Sequence, residues 1–184
     1  MVLLESSLGR PFDKFPHFQL MDTNGVHITS EDAMGENGLI VIFTCNHCPY
    51  AKALWNRLII DQPIISAAGF SCLAINPNIN PKYPEDSYDN MKTLAKNYQL
   101  PFSYLVDHHQ DVARQFGATC TPDFFVLNPA MQLIYRGAYD DNWKDSDQVT
   151  EKYLINALNK SLTHGYIQAK HPSIGCSIKW QENQ

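Results

Sequence analysis

Leu39-Ile40-Val41-Ile42-Phe43 is an unbroken apolar run rich in β-branched residues. A half-exposed strand alternates apolar and polar residues. A strand without alternation needs apolar cover on both faces, as in the interior of a sheet clad on both sides. Immediately downstream, Ala51, Leu54, Trp55, Leu58 and Ile59 fall at the three-and-four spacing of one helix face. Pro63 is expected to end that helix, because proline removes a backbone donor. The alternation then continues. A strand is predicted over 70–75 and a helix over about 86–98, with Tyr88, Met91, Leu94, Ala95 and Tyr98 inward. A strand over 102–106 leads to a helix that Asp107 caps and Gly117 ends. Strands over 124–127 and 133–135 flank Asn128-Pro129-Ala130-Met131, and a last helix runs over about 150–162. Upstream, 15–21 and 26–28 flank the turn Asp22-Thr23-Asn24-Gly25, a hairpin signal. Ser30 is expected to cap one helical turn reaching Met34. This order implies an α/β fold: a central mixed sheet with helices on both faces, an N-terminal β-hairpin extension and a late antiparallel edge. No repeat or linker divides the chain, so 1–184 reads as a single domain with its core over about 12–162 and a tail over 163–184.

Composition removes several classes. A net charge of -5 and 11% aromatic residues fit an ordinary globular chain and not a disordered one. Mild acidity disfavours nucleic acid as a partner. No apolar run approaches the roughly 20 residues that span a bilayer, so no membrane partner is expected. The opening residues MVLLESSLGR lack the basic and long apolar regions of a secretory signal, and a cytoplasmic location is expected. Five cysteines are too few, and odd in number, for a disulfide scaffold. In a reducing compartment they are catalytic, metal-binding or buried.

Position separates them. Cys45-Asn46-His47-Cys48 lies where the 39–43 strand hands over to the helix. A C-x-x-C pair beside a βαβ pattern reads as a redox dithiol. A helix N-terminus presents unpaired N–H groups and partial positive charge, which stabilise a thiolate. Cys45 is expected there, with its pKa lowered from about 8.5, and Cys48 within reach to close a disulfide. Pro49 suits the first turn, where its missing donor costs least. His47, between the thiols, stabilises the Cys45 thiolate when protonated; the plainer reading is a surface residue.

On these residues, together with Thr121-Pro122 and the strand Phe124-Phe125-Val126-Leu127, the chain resembles the thioredoxin superfamily in its redoxin (AhpC/TSA-like) branch. The resemblance covers roughly 12–162. It implies a thioredoxin-like fold with Pro122 cis and facing the dithiol. It also implies that the backbone beside Pro122 pairs with an extended partner during exchange, and that Pro122 keeps metals off the sulfurs. The activity implied is thiol–disulfide oxidoreduction: Cys45 attacks, Cys48 resolves, and Thr121, Pro122 and His47 support. The partners are protein or low-molecular-weight disulfides and a thiol electron donor, with no cofactor. Two departures stand out. Thr44 replaces the tryptophan that often precedes the first cysteine, and the 39–43 strand lacks the expected buried acid. The proton acceptor is then His47, a water or a carboxylate such as Asp123.

A second reading is a thiol-dependent peroxidase. Cys48 aligns with the peroxidatic cysteine of the peroxiredoxins, but Cys45 stands for the signature threonine, Val41 for its proline, and Pro122 near the activating arginine. A third is a metal-binding or interaction module, disfavoured because thioredoxin-like copper chaperones space their cysteines by three residues. Cys120 and Cys176 are candidates for further redox roles, including a Cys120–Cys176 relay, and Cys72 reads as core. His108-His109 reads as a surface turn, and the loop from Tyr139 to Trp143 as either packed or lining a partner groove. The segment Pro81–Asp86 enters an inserted helix.

Overall fold

A computed structural model describes residues 2–181. Its centre is β4 (Gly38–Phe43), the apolar run, every residue of which is buried. It pairs in parallel with β5 (Phe70–Asn76), which pairs in parallel with β6 (Ser103–Val106). On its other side β4 runs antiparallel to β8 (Asp123–Leu127), which pairs antiparallel with β9 (Leu133–Arg136). The hairpin β2 (Gln19–Asp22) and β3 (His27–Thr29) docks through β2 on β6, completing the order β3-β2-β6-β5-β4-β8-β9. The predicted hairpin is therefore the edge of the central mixed sheet.

Alternate residues of β4 feed two cores, which is why the run cannot alternate in polarity. Ile40 and Ile42 pack with Leu54, Trp55, Leu58 and Ile65, largely from α2 (Trp55–Ala67), and with α5 (Tyr153–His164). Met91 of α3 (Tyr88–Tyr98) joins the same face. Leu39, Val41 and Phe43 face the opposite layer, with Val112, Ala113 and Phe116 of α4 (Asp111–Phe116). There Phe43, Phe116 and Phe125 meet edge to face at 5.4–5.6 Å, the geometry their ring quadrupoles favour.

Several local expectations change. Pro63 does not end its helix; α2 continues through it to Ala67. Pro63 is on the exposed face, where water can satisfy the carbonyl left without a donor. The helix instead breaks earlier, after a short α1 (Pro49–Lys52). Ser30 is buried and accepts from Phe18 N (3.3 Å), while Thr29 Oγ1 takes the turn's Asp32 N–H (3.0 Å). Gln110, not Asp107, precedes α4, although Asp107 Oδ2 still accepts from Ala113 N at 2.8 Å. The last helix starts at Tyr153.

The largest difference lies in the tail. Its residues form β10 (Ile174–Ser177), which pairs antiparallel with β1 (Leu3–Glu5) on one side and β7 (Cys120–Thr121) on the other. A three-stranded sheet thus joins the two ends of the described chain beside Pro122.

Asp123, the carboxylate considered for the proton acceptor, is committed elsewhere. It is fully buried and holds Arg136 Nη2 at 2.8 Å. Arg136 also donates to Ser7 Oγ and to the Gly117 carbonyl oxygen. Removing one partner of a buried ion pair strands the other charge. Arg136→Ala is expected to lower unfolding free energy by about 3–5 kcal/mol, read from the urea midpoint; a loss under about 1 kcal/mol would contradict the pairing.

Candidate active site

The parallel pairing of β4 with β5 carries the chain to Thr44, whose N–H donates to Ile75 O at 2.8 Å. The next four residues are fastened from several sides. Asn46 donates through Nδ2 to Glu85 O (2.8 Å), and its Oδ1 accepts from Tyr104 OH (2.9 Å). Pro49 occupies the first position of α1, so Cys48 is its N-cap. The helix terminus expected at Cys45 therefore lies one turn later, at Cys48. Proline at the first helical position was the local signal for this placement.

The two sulfurs are in different electrostatic states. Cys48 is held down at about 5, chiefly by a hydrogen bond from Cys45, against the opposing effect of burial, with further help from Cys176 and the Ala51 N–H. Cys45 is pushed well above the usual thiol value, first by burial, then by its role as donor to Cys48 and by the charge of Asp86. Ionisation is thus favoured at Cys48 and opposed at Cys45. The peptide between Thr121 and Pro122 is cis. Thr121 touches both cysteines: its Oγ1 is 3.2 Å from Cys45 Sγ, and its carbonyl oxygen is 3.1 Å from Cys48 Sγ. Both thiols are 0% exposed, so the centre is closed to bulk water.

Asp86 is the residue that reading the sequence missed. It ends a 3-10 turn, Pro84–Asp86, within the segment expected to enter an inserted helix. Its buried carboxylate accepts from Asn46 N at 2.6 Å and from His47 N at 3.3 Å, and pairs with His47 Nδ1. Tyr83 stacks on the imidazole with centroids 5.1 Å apart. His47 is therefore clamped between Asp86 and Tyr83, and its Nε2 is buried with no hydrogen-bond partner among the described residues. Nothing near Asp86 in sequence marks it, since its partners lie about 40 residues away. Asp86→Ala is expected to lose about 3 kcal/mol of stability and to bring the Cys45 thiol down, because the carboxylate's charge raises it. Urea unfolding and the pH dependence of Cys45 alkylation read the two effects.

Cys45, His47 and Asp86 are the one group of potential metal ligands among the described residues whose ligand atoms converge, all within 4.8 Å. The hydrogen bonds above already join His47 to Asp86 and occupy the Cys45 proton.

The other cysteines separate clearly. Cys72 is buried on β5 and pushed up to about 12 by burial, as a core residue should be. Cys120 is buried and raised by burial, and its sulfur lies against the Pro122 and Ser173 carbonyl oxygens at 3.4 and 3.9 Å. The cross-strand partner of Cys120 is Ser177, so the register does not oppose Cys120 to Cys176. Cys176 instead lies opposite Thr121, with its sulfur 2.7 Å from Cys48 Sγ. His108 and His109 are exposed in a turn. In the Tyr139–Trp143 loop, Tyr139 OH donates to Asp61 (2.6 Å) and Asp140 pairs with Arg57 (2.6 Å). Trp143 packs against Tyr50 with ring centroids 4.0 Å apart and the planes tilted by 35°. Both rings line a pocket together with Phe124, Tyr139, Pro122 and Ile174.

Residues 11–136 match the model of the AhpC/TSA family. The chain belongs to that family. As a redoxin, it shares its fold with solved structures that cover between 81% and 100% of its length. An uncharacterized conserved protein from Geobacillus kaustophilus is 34% identical, with a TM-score of 0.89 over 100% of this chain and 99% of that one. Peroxidoxin BcpB from Mycobacterium tuberculosis superposes with a TM-score of 0.64 at 14% identity, over 81% of this chain and 96% of that one. The thioredoxin domain of a thiol-disulfide oxidoreductase from Bacteroides vulgatus gives 0.60 at 11% identity, over 86% and 99%. At those last two identities the likeness is one of fold. Comparison with curated proteins gives no match. Among the described residues of this redoxin, no helix is long and apolar enough to cross a membrane.

Proposed function

We propose that this redoxin is a thiol–disulfide oxidoreductase whose exchanging dithiol is Cys45 and Cys48, with Cys48 as the nucleophile. The carrying observation is the place of Cys48, N-cap of α1 and 3.1 Å from the Thr121 carbonyl oxygen beside Pro122, where its pKa is lowered to about 5. The thiolate is the reactive form, and a low-pKa thiol is also the better leaving group. The sequence alone assigned attack to Cys45; the electrostatics favour the reverse order. Cys48 attacks a partner disulfide, one partner sulfur leaves as a thiolate, and Cys45 then displaces the other, passing on its proton. Asp86 and His47 hold the motif in position, and no organic cofactor takes part. The partners proposed are protein or low-molecular-weight disulfides, with a thiol donor to return the electrons.

One observation favours a second reading. Cys48 takes the place that resemblance gives to a peroxidatic cysteine, and its thiolate state suits reaction with a hydroperoxide. Fast peroxide turnover also needs oriented donors on the peroxide, and the buried Arg136 is spent on Asp123, Ser7 and Gly117. Reduction of insulin disulfides and consumption of hydroperoxide, measured side by side on the reduced protein, decide between the two. Disulfide reduction without fast peroxide loss supports exchange. The opposite pattern overturns it.

A further inference from the structure

The backbone beside Pro122, which resemblance expects to receive an extended partner, is already taken by this chain's own tail. β10 pairs with β7 so that Cys176 lies opposite Thr121. Thr121 is the residue whose hydroxyl meets Cys45 and whose carbonyl meets Cys48. Three sulfurs therefore converge on one threonine, and Cys48 and Cys176 approach to 2.7 Å. The tail is not lightly laid there. β1 backs it along Leu3↔Cys176 and Leu4↔Gly175. Beyond it, Lys179 N donates to Asn78 Oδ1 (2.8 Å) and Gln181 N to Gln110 Oε1 (2.7 Å). Trp180 lies under the Arg114 guanidinium at 4.5 Å. A cysteine buried merely as a small apolar side chain, as Cys72 is, needs no sulfur opposite it.

We infer that Cys176 is the third redox thiol of this centre and that β10 is an internal disulfide partner of Cys48. The inference deepens the exchange reading above and rests on it for the identity of the oxidant. After Cys48 has attacked a partner disulfide and released the first partner thiolate, the Cys176 sulfur attacks Cys48 Sγ. The bond between Cys48 and the partner breaks, and the Cys48–Cys176 bond forms. The second partner sulfur leaves carrying the proton that Cys176 gave up. Two electrons pass from the thiol pair to the partner disulfide. Cys45 and Cys176 thus compete for the same sulfur. Attack of Cys45 on the Cys48–Cys176 bond moves the disulfide to Cys45–Cys48 and returns Cys176 to the thiol, with no net electron transfer.

The test maps disulfides in fully reduced protein after two separate oxidations. One uses diamide, which joins neighbouring thiols whatever the physiological substrate and is itself reduced to the hydrazine. The other uses glutathione disulfide. Samples are quenched in acid, alkylated, digested and read by mass spectrometry without reduction. In the diamide arm, a Cys48–Cys176 cross-link is expected in the wild type and as the main product in Cys45→Ser. In the Cys45→Ser background, adding Cys176→Ser lowers Cys48-containing disulfide by about tenfold or more. Because the relay can leave the bond at Cys45–Cys48, the wild type is quenched over a time series; absence of any Cys48–Cys176 bond at every time point, or a Cys45→Ser protein in which Cys176 stays fully alkylatable, overturns the inference. The glutathione arm reports separately on exchange. A diamide cross-link without reaction with glutathione disulfide defeats the exchange reading and leaves the Cys48–Cys176 couple standing. Reaction with glutathione disulfide that never involves Cys176, in either arm, does the reverse.

Discussion

Replacing Cys48 with serine is expected to lower disulfide exchange by a factor on the order of a thousand or more, because the proposed attacking atom is gone. The same substitution is expected to remove a thiolate signal that should persist in the native protein down to about pH 5. Thiolate absorbance and the rate of iodoacetamide labelling should both stay level from neutral pH downward and fall as pH passes through about 5. Cys45→Ala is expected to move that midpoint upward, since the Cys45 hydrogen bond is the largest contribution holding Cys48 ionised. A native midpoint near the ordinary thiol value would defeat the assignment of Cys48 as nucleophile. The sign for stability follows from the same shift. The folded value of Cys48 lies below that of the unfolded chain. Its contribution is therefore present above the unfolded value, near 9, and is lost as pH falls toward about 5. Cys45 is raised, so its contribution is present below the unfolded value and lost as pH climbs beyond it.

Gly175→Ala should unseat the tail strand. A Cβ at this position would lie 2.1 Å from the Thr121 carbonyl oxygen, 2.5 Å from its carbon and 3.0 Å from Pro122 N. All three are backbone atoms, so no side-chain rotation relieves the clash. Either β10 withdraws or the Thr121–Pro122 segment shifts. Overpacking of this kind costs about 1–3 kcal/mol, which for a chain of this size lowers Tm by roughly 3–10 °C. Withdrawal also takes Cys176 from Cys48. Alkylation of Cys176 in the native protein should speed up, and the Cys48 midpoint should rise because a hydrogen bond that lowers it is lost. An unchanged Tm with Cys176 still protected would show that β10 is not packed against Thr121 as described.

What could be read from sequence alone was set by local pattern. The 39–43 run, the Asn-Gly hairpin and the Thr121-Pro122 pair each carry their meaning within a few residues and lie where expected, while the helix face from Ala51 to Ile59 is divided between α1 and α2. The missed features join distant segments. β1 and β10 are strands of three and four residues, too short to display a period, and they pair across nearly the whole chain. Asp86 reaches the motif from a turn about 40 residues on, and no spacing rule links an acid there to a cysteine. The order of attack proposed for the two cysteines differs from the one the motif suggests for another reason. It hung on whether α1 begins at the motif or after it, and Pro49 fixes the later start.

The same long-range stitching governs when this centre can exist. Its parts come from residues 3–5, 45–48, 86, 121 and 174–177. Closing a loop between segments so far apart carries an entropic cost that local structure does not offset, so such pairings form late. A chain still emerging from the ribosome can build β4, α2 and β5 and present Cys45 and Cys48 while residue 176 has yet to be made. During synthesis the dithiol therefore passes through a stage without its third sulfur and without the strand that covers it. The three-sulfur arrangement is complete only when residues 174–177 have been made and paired with residues 3–5 and 120–121.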